Sequence, residues 1–122
     1  MRRREFEAIV HQSLARIPEE FREALGNVAI VIESWPDPQE MADIYGDPDE
    51  LVYGLYRGTP LTEKNASDAG ALPDMIVLYQ GPLEEDFPER EELIREIEIT
   101  VVHEIAHHFG FGEESLERYG YD

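Results

Sequence analysis

The sequence predicts a single α+β domain over residues 1–122, with a small sheet of three or four strands packed on one long helix. Three observations predict this class. A chain of 122 residues holds one hydrophobic core. Three apolar runs near its middle have the composition of strands, and apolar side chains recur at helical spacing towards both ends. Strands grouped between helices favour the α+β class over an alternating α/β arrangement.

The first half of the chain is predicted to contain two helices and one strand. Residues 5–17 place apolar side chains at helical spacing. Pro18 then opens a second, short helix over residues 19–25. The β-branched run 28–32 predicts a buried strand, whereas the Pro-, Asp- and Gly-rich residues 35–50 predict a loop with one helical turn.

The second half is predicted to end in the longest helix of the chain. Its predicted elements are a strand over 51–57, a loop over 58–73, a strand over 75–79, an acidic turn over 83–88, a helix over 89–109 and a helical tail over 113–122. Gly110 ends the long helix. Six apolar side chains form one broad sector of this helix and predict its buried face: Ile94, Ile97, Val101, Val102, Ile105 and Phe109.

The composition excludes several classes of protein. Asp and Glu number 28 against 10 Lys and Arg, so the net charge of −18 repels nucleic acid and anionic membrane surfaces. Hydrophobic residues still make up 42%, which is enough for a packed core. The absence of Cys excludes disulfides, thiolate metal ligands and Cys nucleophiles. Because no apolar stretch approaches the ~20 residues of a membrane span and no signal peptide is recognisable, we expect a cytoplasmic protein.

The end of the long helix carries the most informative residues. His103 and His107 are four residues apart, so a helix places them on one face with Cβ atoms about 5–6 Å apart. From that separation two imidazoles can converge on one Zn²⁺ ion. Glu104 is rotated by about 100° from His103, and in an H-E-x-x-H arrangement the Glu acts as general base towards water. The spacing therefore predicts a metal site with a catalytic carboxylate beside it.

Two His side chains supply too few ligands for Zn²⁺, so a third ligand must come from elsewhere. Gly110 can adopt a left-handed conformation and reverse the chain direction. Such a turn brings Glu113, six residues after His107, towards the open side of the metal. Glu114 is the neighbouring candidate, and the spacing leaves the choice between the two open.

These segments resemble a known family. The sequence HEIAHHFG at residues 103–110 and the sequence LPDMIVLYQGP at residues 72–82 are similar to short bacterial proteins described as minimal zincin-like metallopeptidases. The resemblance covers residues 5–118 and implies a compact zincin-like α+β fold, zinc binding and a presumed peptidase activity. By matching positions it implies that His103, His107 and Glu113 are metal ligands and that Glu104 is the general base. Relatives of this type often carry Asp at the position of Glu113.

Two hypotheses for the function follow. The first is a zinc-dependent metallopeptidase that hydrolyses peptide or small amide bonds in a peptide or flexible protein segment, for which the acidic surface favours a basic sequence. The second is a non-catalytic interaction module on the same scaffold, with an empty or weak metal site and an acidic surface that binds a basic protein. The hypotheses differ in whether Glu113 reaches the metal and whether a cleft lies over it.

Other residues near the motif have candidate roles. In zincins an edge strand above the metal receives extended substrate by backbone pairing. The strand 75–79 is a candidate for that role, with Tyr79 or Gln80 at the rim of the cleft; the alternative is a buried core strand. The hydroxyls of Tyr119 and Tyr121 are candidates for stabilising an oxyanion, against the alternative of a frayed chain end.

Overall fold

The computed structural model describes residues 1–58 and 74–122, and within these ranges six α-helices surround one small sheet. The helices are α1 (Arg3–Arg16), α2 (Glu19–Ala24), α3 (Pro38–Tyr45), α4 (Gln80–Asp86), α5 (Arg90–Phe109) and α6 (Glu113–Tyr119). The strands are β1 (Val28–Glu33), β2 (Gly54–Arg57) and β3 (Asp74–Tyr79). A 3₁₀ turn, Leu25–Asn27, joins α2 to β1. The α+β class and the long helix are thus confirmed, whereas residues 59–73 of the predicted loop lie outside the described residues.

Two segments differ from the prediction. The residues predicted as an acidic turn belong largely to α4, because Pro82 lies in the first turn of this helix, where a backbone N–H is not needed, and Leu83 is fully buried. The single helical turn predicted before β2 is the eight-residue helix α3. Its start is stabilised by Asp37, whose side chain accepts a hydrogen bond from the Glu40 amide at 3.2 Å, and by Pro38 at the first position.

The sheet has the strand order β1-β3-β2. Strand β1 runs parallel to β3, with Ile30 opposite Ile76, and β2 runs antiparallel to β3, with Tyr56 opposite the same residue. The prediction that strand 75–79 receives substrate at a sheet edge is therefore wrong, because β3 is the central strand and pairs on both sides.

The side chains of β3 alternate between two hydrophobic clusters. Ile76 and Leu78 pack in the main core with α1 and α5, whereas Tyr79 packs in a second cluster with Met41 of α3. Tyr79 is fully buried and Gln80 is 8% exposed. Neither side chain lines the cleft described below, so the prediction that one of them forms its rim is also wrong.

Helix α5 crosses the main core and presents its far end to solvent. The predicted apolar sector is buried, except that Phe109 is 45% exposed. Helix α1 packs closely on α5 because the small residue Ser13 lies between them and donates to the Ile94 carbonyl oxygen at 3.0 Å. No helix in the described ranges is long and apolar enough to cross a membrane.

Candidate active site

The polar end of α5 carries the predicted His pair. His103 and His107 are both exposed, while the flanking Val102 and Ala106 are buried. The helix ends at Gly110, which adopts the predicted left-handed conformation with φ +76°. The amide of Phe111 then donates to the Ala106 carbonyl oxygen at 3.0 Å, and the chain turns back into α6. Local sequence therefore determines both the exposure of the pair and the reversal that follows it.

The reversal creates a cleft of about 450 Å³ beside the His pair. Its lining combines the motif residues with residues from the turn, α6 and the chain end: His103, Glu104, Ala106, His107, Phe111, Glu113, Leu116 and Asp122. Glu113 is the first residue of α6 and is exposed. The lining includes Glu113 and not Glu114, so the cleft favours Glu113 as the third member of the predicted set.

The residues that follow α6 lie against the His pair. Nε2 of His103 contacts the backbone carbonyl oxygen of Tyr121. A carbonyl oxygen only accepts hydrogen bonds, so the backbone of Tyr121 borders this side of the imidazole as an acceptor. The position of Tyr121 is itself fixed by Gly120, whose φ of +76° reverses the chain after α6. The amide of Tyr121 donates to the Leu116 carbonyl oxygen at 2.9 Å, as expected for this type of helix end.

The side chain of Tyr121 points away from the cleft. Its ring is 4% exposed, and its hydroxyl donates to the carboxylate of Glu98, which is 5% exposed. Burial and the Glu98 carboxylate raise the pKa of the Tyr121 hydroxyl. Tyr119 donates to Glu20 at 3.3 Å. The two predicted oxyanion-stabilising hydroxyls are therefore engaged elsewhere, and the Tyr121 carbonyl is the group that meets the motif.

A second face of α5 packs against β2. Thr100, Glu104 and His108 are spaced four residues apart along this face. A Cβ atom at Gly54 would lie 2.6 Å from Cγ2 of Thr100, so the absence of a side chain at Gly54 permits this approach of strand and helix. Further along, the His108 imidazole stacks on the Tyr56 ring with centroids 3.6 Å apart and planes 14° from parallel. His108 therefore contacts β2 and takes no part in the His pair.

Glu104 lies between the His pair and β2. Burial raises the pKa of its carboxyl group, because removal from water disfavours the charged form. The neighbouring His107 and His103 side chains and a hydrogen bond from the backbone of Tyr56 lower this pKa and so act in the opposite direction. A carboxylate partly removed from water holds a proton more readily than an exposed one, which suits it to accept and return a proton.

The donor groups of the cleft fit zinc by type, since two imidazoles and one carboxylate form a known catalytic ligand set. Among the described residues, however, no three His, Asp or Glu side chains stand close enough together to hold a metal ion. The ligand roles of His103, His107 and Glu113 remain predictions.

Sequence reasoning missed three contributors to this site. They are the Tyr121 carbonyl with its Glu98 anchor, Asp122 in the cleft lining, and Tyr56 beside Glu104 and His108. Gly120 is the one sequence feature that could have indicated the chain reversal after α6, because a Gly that follows a helix predicts a left-handed turn, as at Gly110. The other contacts join elements distant in sequence and leave no local pattern.

Comparison with known proteins identifies the family of the chain. A family model described as zincin-like metallopeptidase matches residues 25–121. A solved structure, a conserved hypothetical protein from Thermus thermophilus, is 27% identical with a TM-score of 0.54, and the match covers 98% of each chain. No curated protein matches the chain. The match over most of the chain, including α5 and its motif, shows that the protein belongs to the zincin-like metallopeptidase family.

Proposed function

We propose that this protein is a zinc-dependent hydrolase of peptide or small amide bonds. One observation carries the proposal: the His pair, Glu104 and Glu113 line the same cleft. His103, His107 and Glu113 are the residues that would hold the ion, since a His₂Glu set leaves one position of catalytic zinc open. When bound, zinc polarises a carbonyl oxygen and lowers the pKa of a water molecule.

The protein's own contribution to the reaction is proton transfer. Glu104 is partly buried beside the His pair, so its carboxylate is placed to take a proton from the attacking water and return it to the leaving amine. Its surroundings exclude part of the solvent, which strengthens its interaction with a charge that develops nearby. This role requires the carboxylate oxygen atoms of Glu104, so an amide in their place should be inactive.

We propose an extended, basic peptide segment as the substrate. Within the described ranges β2 pairs with β3 on one side only, and it packs against the motif helix beside Glu104. An extended peptide would therefore pair with the other side of β2. The net charge of −18 favours basic sequences through long-range attraction.

The first test is zinc binding by the full chain, measured by mass spectrometry after purification without chelator and by titration. We expect about one zinc per chain, lost in His103→Ala and weakened in Glu113→Gln. Two matched controls should bind as the parent does: His11→Ala, which removes an exposed His of α1, and Glu114→Gln, which removes the neighbouring carboxylate. Equal binding by Glu113→Gln and Glu114→Gln would contradict the assignment of Glu113.

The second test separates catalysis from binding. Glu104→Gln should retain zinc and lose hydrolysis of a basic peptide library by at least about 100-fold, the usual contribution of a general base. Hydrolysis at the parental rate would refute the role of Glu104.

A non-catalytic interaction module remains the second candidate. The observation that favours it is the engagement of His103 Nε2 by the Tyr121 carbonyl, since a metal at that atom needs the position that the carbonyl occupies. In this case a basic protein partner would bind equally to the parent and to Glu104→Gln, and added zinc would not bind at micromolar concentration.

A further inference from the structure

Strand β1 forms the edge of the sheet opposite to β2. Within residues 1–58 and 74–122 it pairs with β3 on one side only, so backbone N–H and C=O groups along its other side are open to a further strand. Its residues 28–32 are all apolar and partly exposed. The one charged residue of the strand, Glu33, is paired with Arg57 at 2.7 Å. The strand therefore lacks the Lys or Pro that commonly protects a sheet edge from another chain.

A groove of about 280 Å³ lies beside this edge, between β1 and helix α1. Both elements contribute apolar side chains to its lining, Val10 and Leu14 from α1 and Ile30 and Ile32 from β1. A strand added to β1 would cover part of these side chains. Such pairing would therefore remove apolar surface from water in addition to forming backbone hydrogen bonds.

The end of β1 lies beside the basic start of α1. Arg3 donates to the Ile32 carbonyl oxygen at 2.7 Å and to the Ser34 hydroxyl at 2.7 Å. Residues 2–4 are three consecutive Arg, and the side chains of Arg2 and Arg4 are exposed. Because the whole chain has only 10 Lys and Arg against 28 Asp and Glu, this end of the edge is unusually positive.

The start of β1 lies beside an acidic helix. The 3₁₀ turn Leu25–Asn27 joins α2 directly to β1, which places α2 at the other end of the edge from Arg3. Helix α2 contains three Glu and one Arg, and its Glu19 and Glu23 are exposed. The two ends of the β1 edge therefore carry opposite charge.

We propose that β1 pairs in antiparallel direction with β1 of a second copy of this chain, which joins the two sheets across a two-fold axis. The axis reverses the second strand, so the basic end of each edge meets the acidic end of the other. A second copy thus complements both ends at once, whereas a uniformly basic peptide would complement only the acidic end. The inference does not depend on the proposed function, because β3 separates β1 from the β2 edge assigned to the substrate.

The test measures self-association of the full chain by sedimentation velocity over a range of concentrations. The net charge of −18 opposes association at long range, so the measurement is made at about 0.15 M salt, where the Debye length is about 8 Å. We expect a monomer–dimer equilibrium. Hydrogen exchange gives the location, since the amides of residues 28–32 should exchange more slowly as the concentration rises.

Val31→Lys is the variant that protects the edge. Val31 is partly exposed and belongs to neither hydrophobic cluster of the described residues, so the substitution spares the core. We expect dimer affinity to fall at least about tenfold. Leu51→Lys is the matched control, because it adds the same charge at an exposed apolar residue before β2, and it should associate as the parent does.

Charge reversal at exposed helix positions tests the two-fold arrangement without changing the strand. Arg4→Glu and Glu23→Arg should each weaken the dimer, and the two together should restore it, since each basic end meets the acidic end of the other copy. Equal weakening in the single and double variants would overturn the antiparallel arrangement.

Three further outcomes would overturn the inference. The first is a parent that stays monomeric at millimolar concentration. The second is a dimer that Val31→Lys and Leu51→Lys leave equally strong, because another surface would then hold it. The third is protection of the amides of residues 28–32 by a basic peptide without self-association, which would assign this edge to a peptide partner.

Discussion

The two faces at the end of α5 are fixed by different means. The face of Thr100, Glu104 and His108 packs against a strand of the sheet, through a close backbone approach and a stacked ring pair. The face of His103 and His107 borders an open cleft, where a backbone carbonyl from the last residues contacts one imidazole. The predicted general base thus lies next to the sheet, whereas one of the predicted metal ligands, His103, contacts a short segment attached to Glu98.

This difference suggests that the two roles can be perturbed separately. Sheet packing is part of the cooperative core, so its loss lowers the free energy of unfolding of the whole domain. Residues 120–122 join the core through the buried ring of Tyr121 and through hydrogen bonds with Glu98 and Arg95, so their detachment removes fewer buried contacts than loss of the sheet. Changes on the β2 face should therefore cost more stability than changes at residues 120–122.

The largest effect is expected where β2 meets α5. Gly54→Ala places a Cβ atom 2.6 Å from Cγ2 of Thr100 and 3.2 Å from the Val77 carbonyl oxygen. We expect a loss of about 2 kcal/mol in the free energy of unfolding, typical of overpacking, measured by urea denaturation. The additional change Thr100→Ser removes Cγ2 and should restore part of the loss.

Gly58→Ala is the matched control for this substitution. A Cβ atom at Gly58 would lie 3.5 Å from the Tyr56 ring, which is ordinary van der Waals contact, so the stability should change by less than about 0.5 kcal/mol. Similar losses for Gly54→Ala and Gly58→Ala would show that the close approach of β2 to α5 contributes nothing specific.

A smaller effect is expected at the turn before Tyr121. Gly120→Ala meets no steric obstacle, since the nearest atom is Nη2 of Arg95 at 3.8 Å, but its φ of +76° strains any residue with a Cβ. We expect the attachment of residues 120–122 to weaken by about 1 kcal/mol, measured by the amide exchange rate of these residues and by urea denaturation. Gly26→Ala, at an open position, should leave both measurements unchanged.

An unchanged amide exchange rate in Gly120→Ala would show that the left-handed turn at this position does not hold residues 120–122 in place. Loss of stability on the scale of Gly54→Ala would instead show that the tail belongs to the cooperative core. Either result would remove the contrast between the two faces of α5.

The residues on these two faces were predictable from the sequence to different degrees. The spacing of His103 and His107 and the turn at Gly110 are local features, so periodicity and turn chemistry predicted them correctly. The contact of the Tyr121 carbonyl with His103 was not predictable, because every residue has a backbone carbonyl and the sequence does not indicate which one lies beside the imidazole. The stack of His108 on Tyr56 likewise depends on the arrangement of the sheet.

The errors in the fold have a similar origin. The run 75–79 was predicted correctly as a strand, but nothing in its sequence excludes an edge position; its central place follows from pairing with β1 and β2. A Pro after an apolar run is compatible with a turn and with the first turn of a helix, and the sequence alone favoured a turn over 83–88, whereas Pro82 lies in the first turn of α4. Helices and strands could therefore be predicted from the sequence, whereas the position of each element beside its neighbours in the fold could not.

The smallest expected effect concerns an ion pair that attaches α3 to the β2 side. Arg57 donates to Glu40 at 2.6 and 2.8 Å, and this hydrogen bonding and charge lower the pKa of the Glu40 carboxyl although burial opposes the shift. The pKa of Glu40 in the folded protein lies below its value of about 4.5 in the unfolded chain. The ion pair therefore stabilises the folded protein fully above about pH 4.5, and this contribution is lost as the pH falls through the folded-state pKa. Glu40→Gln should therefore reduce the loss in the free energy of unfolding between pH 7 and about pH 3 by about 1 kcal/mol, measured by urea denaturation.

Glu114→Gln removes one exposed negative charge from α6 and controls for the large net charge of the chain. If both variants flatten the curve equally, the effect is general charge repulsion; if only Glu40→Gln does so, the ion pair stabilises the β2 side and leaves the tail side unaffected.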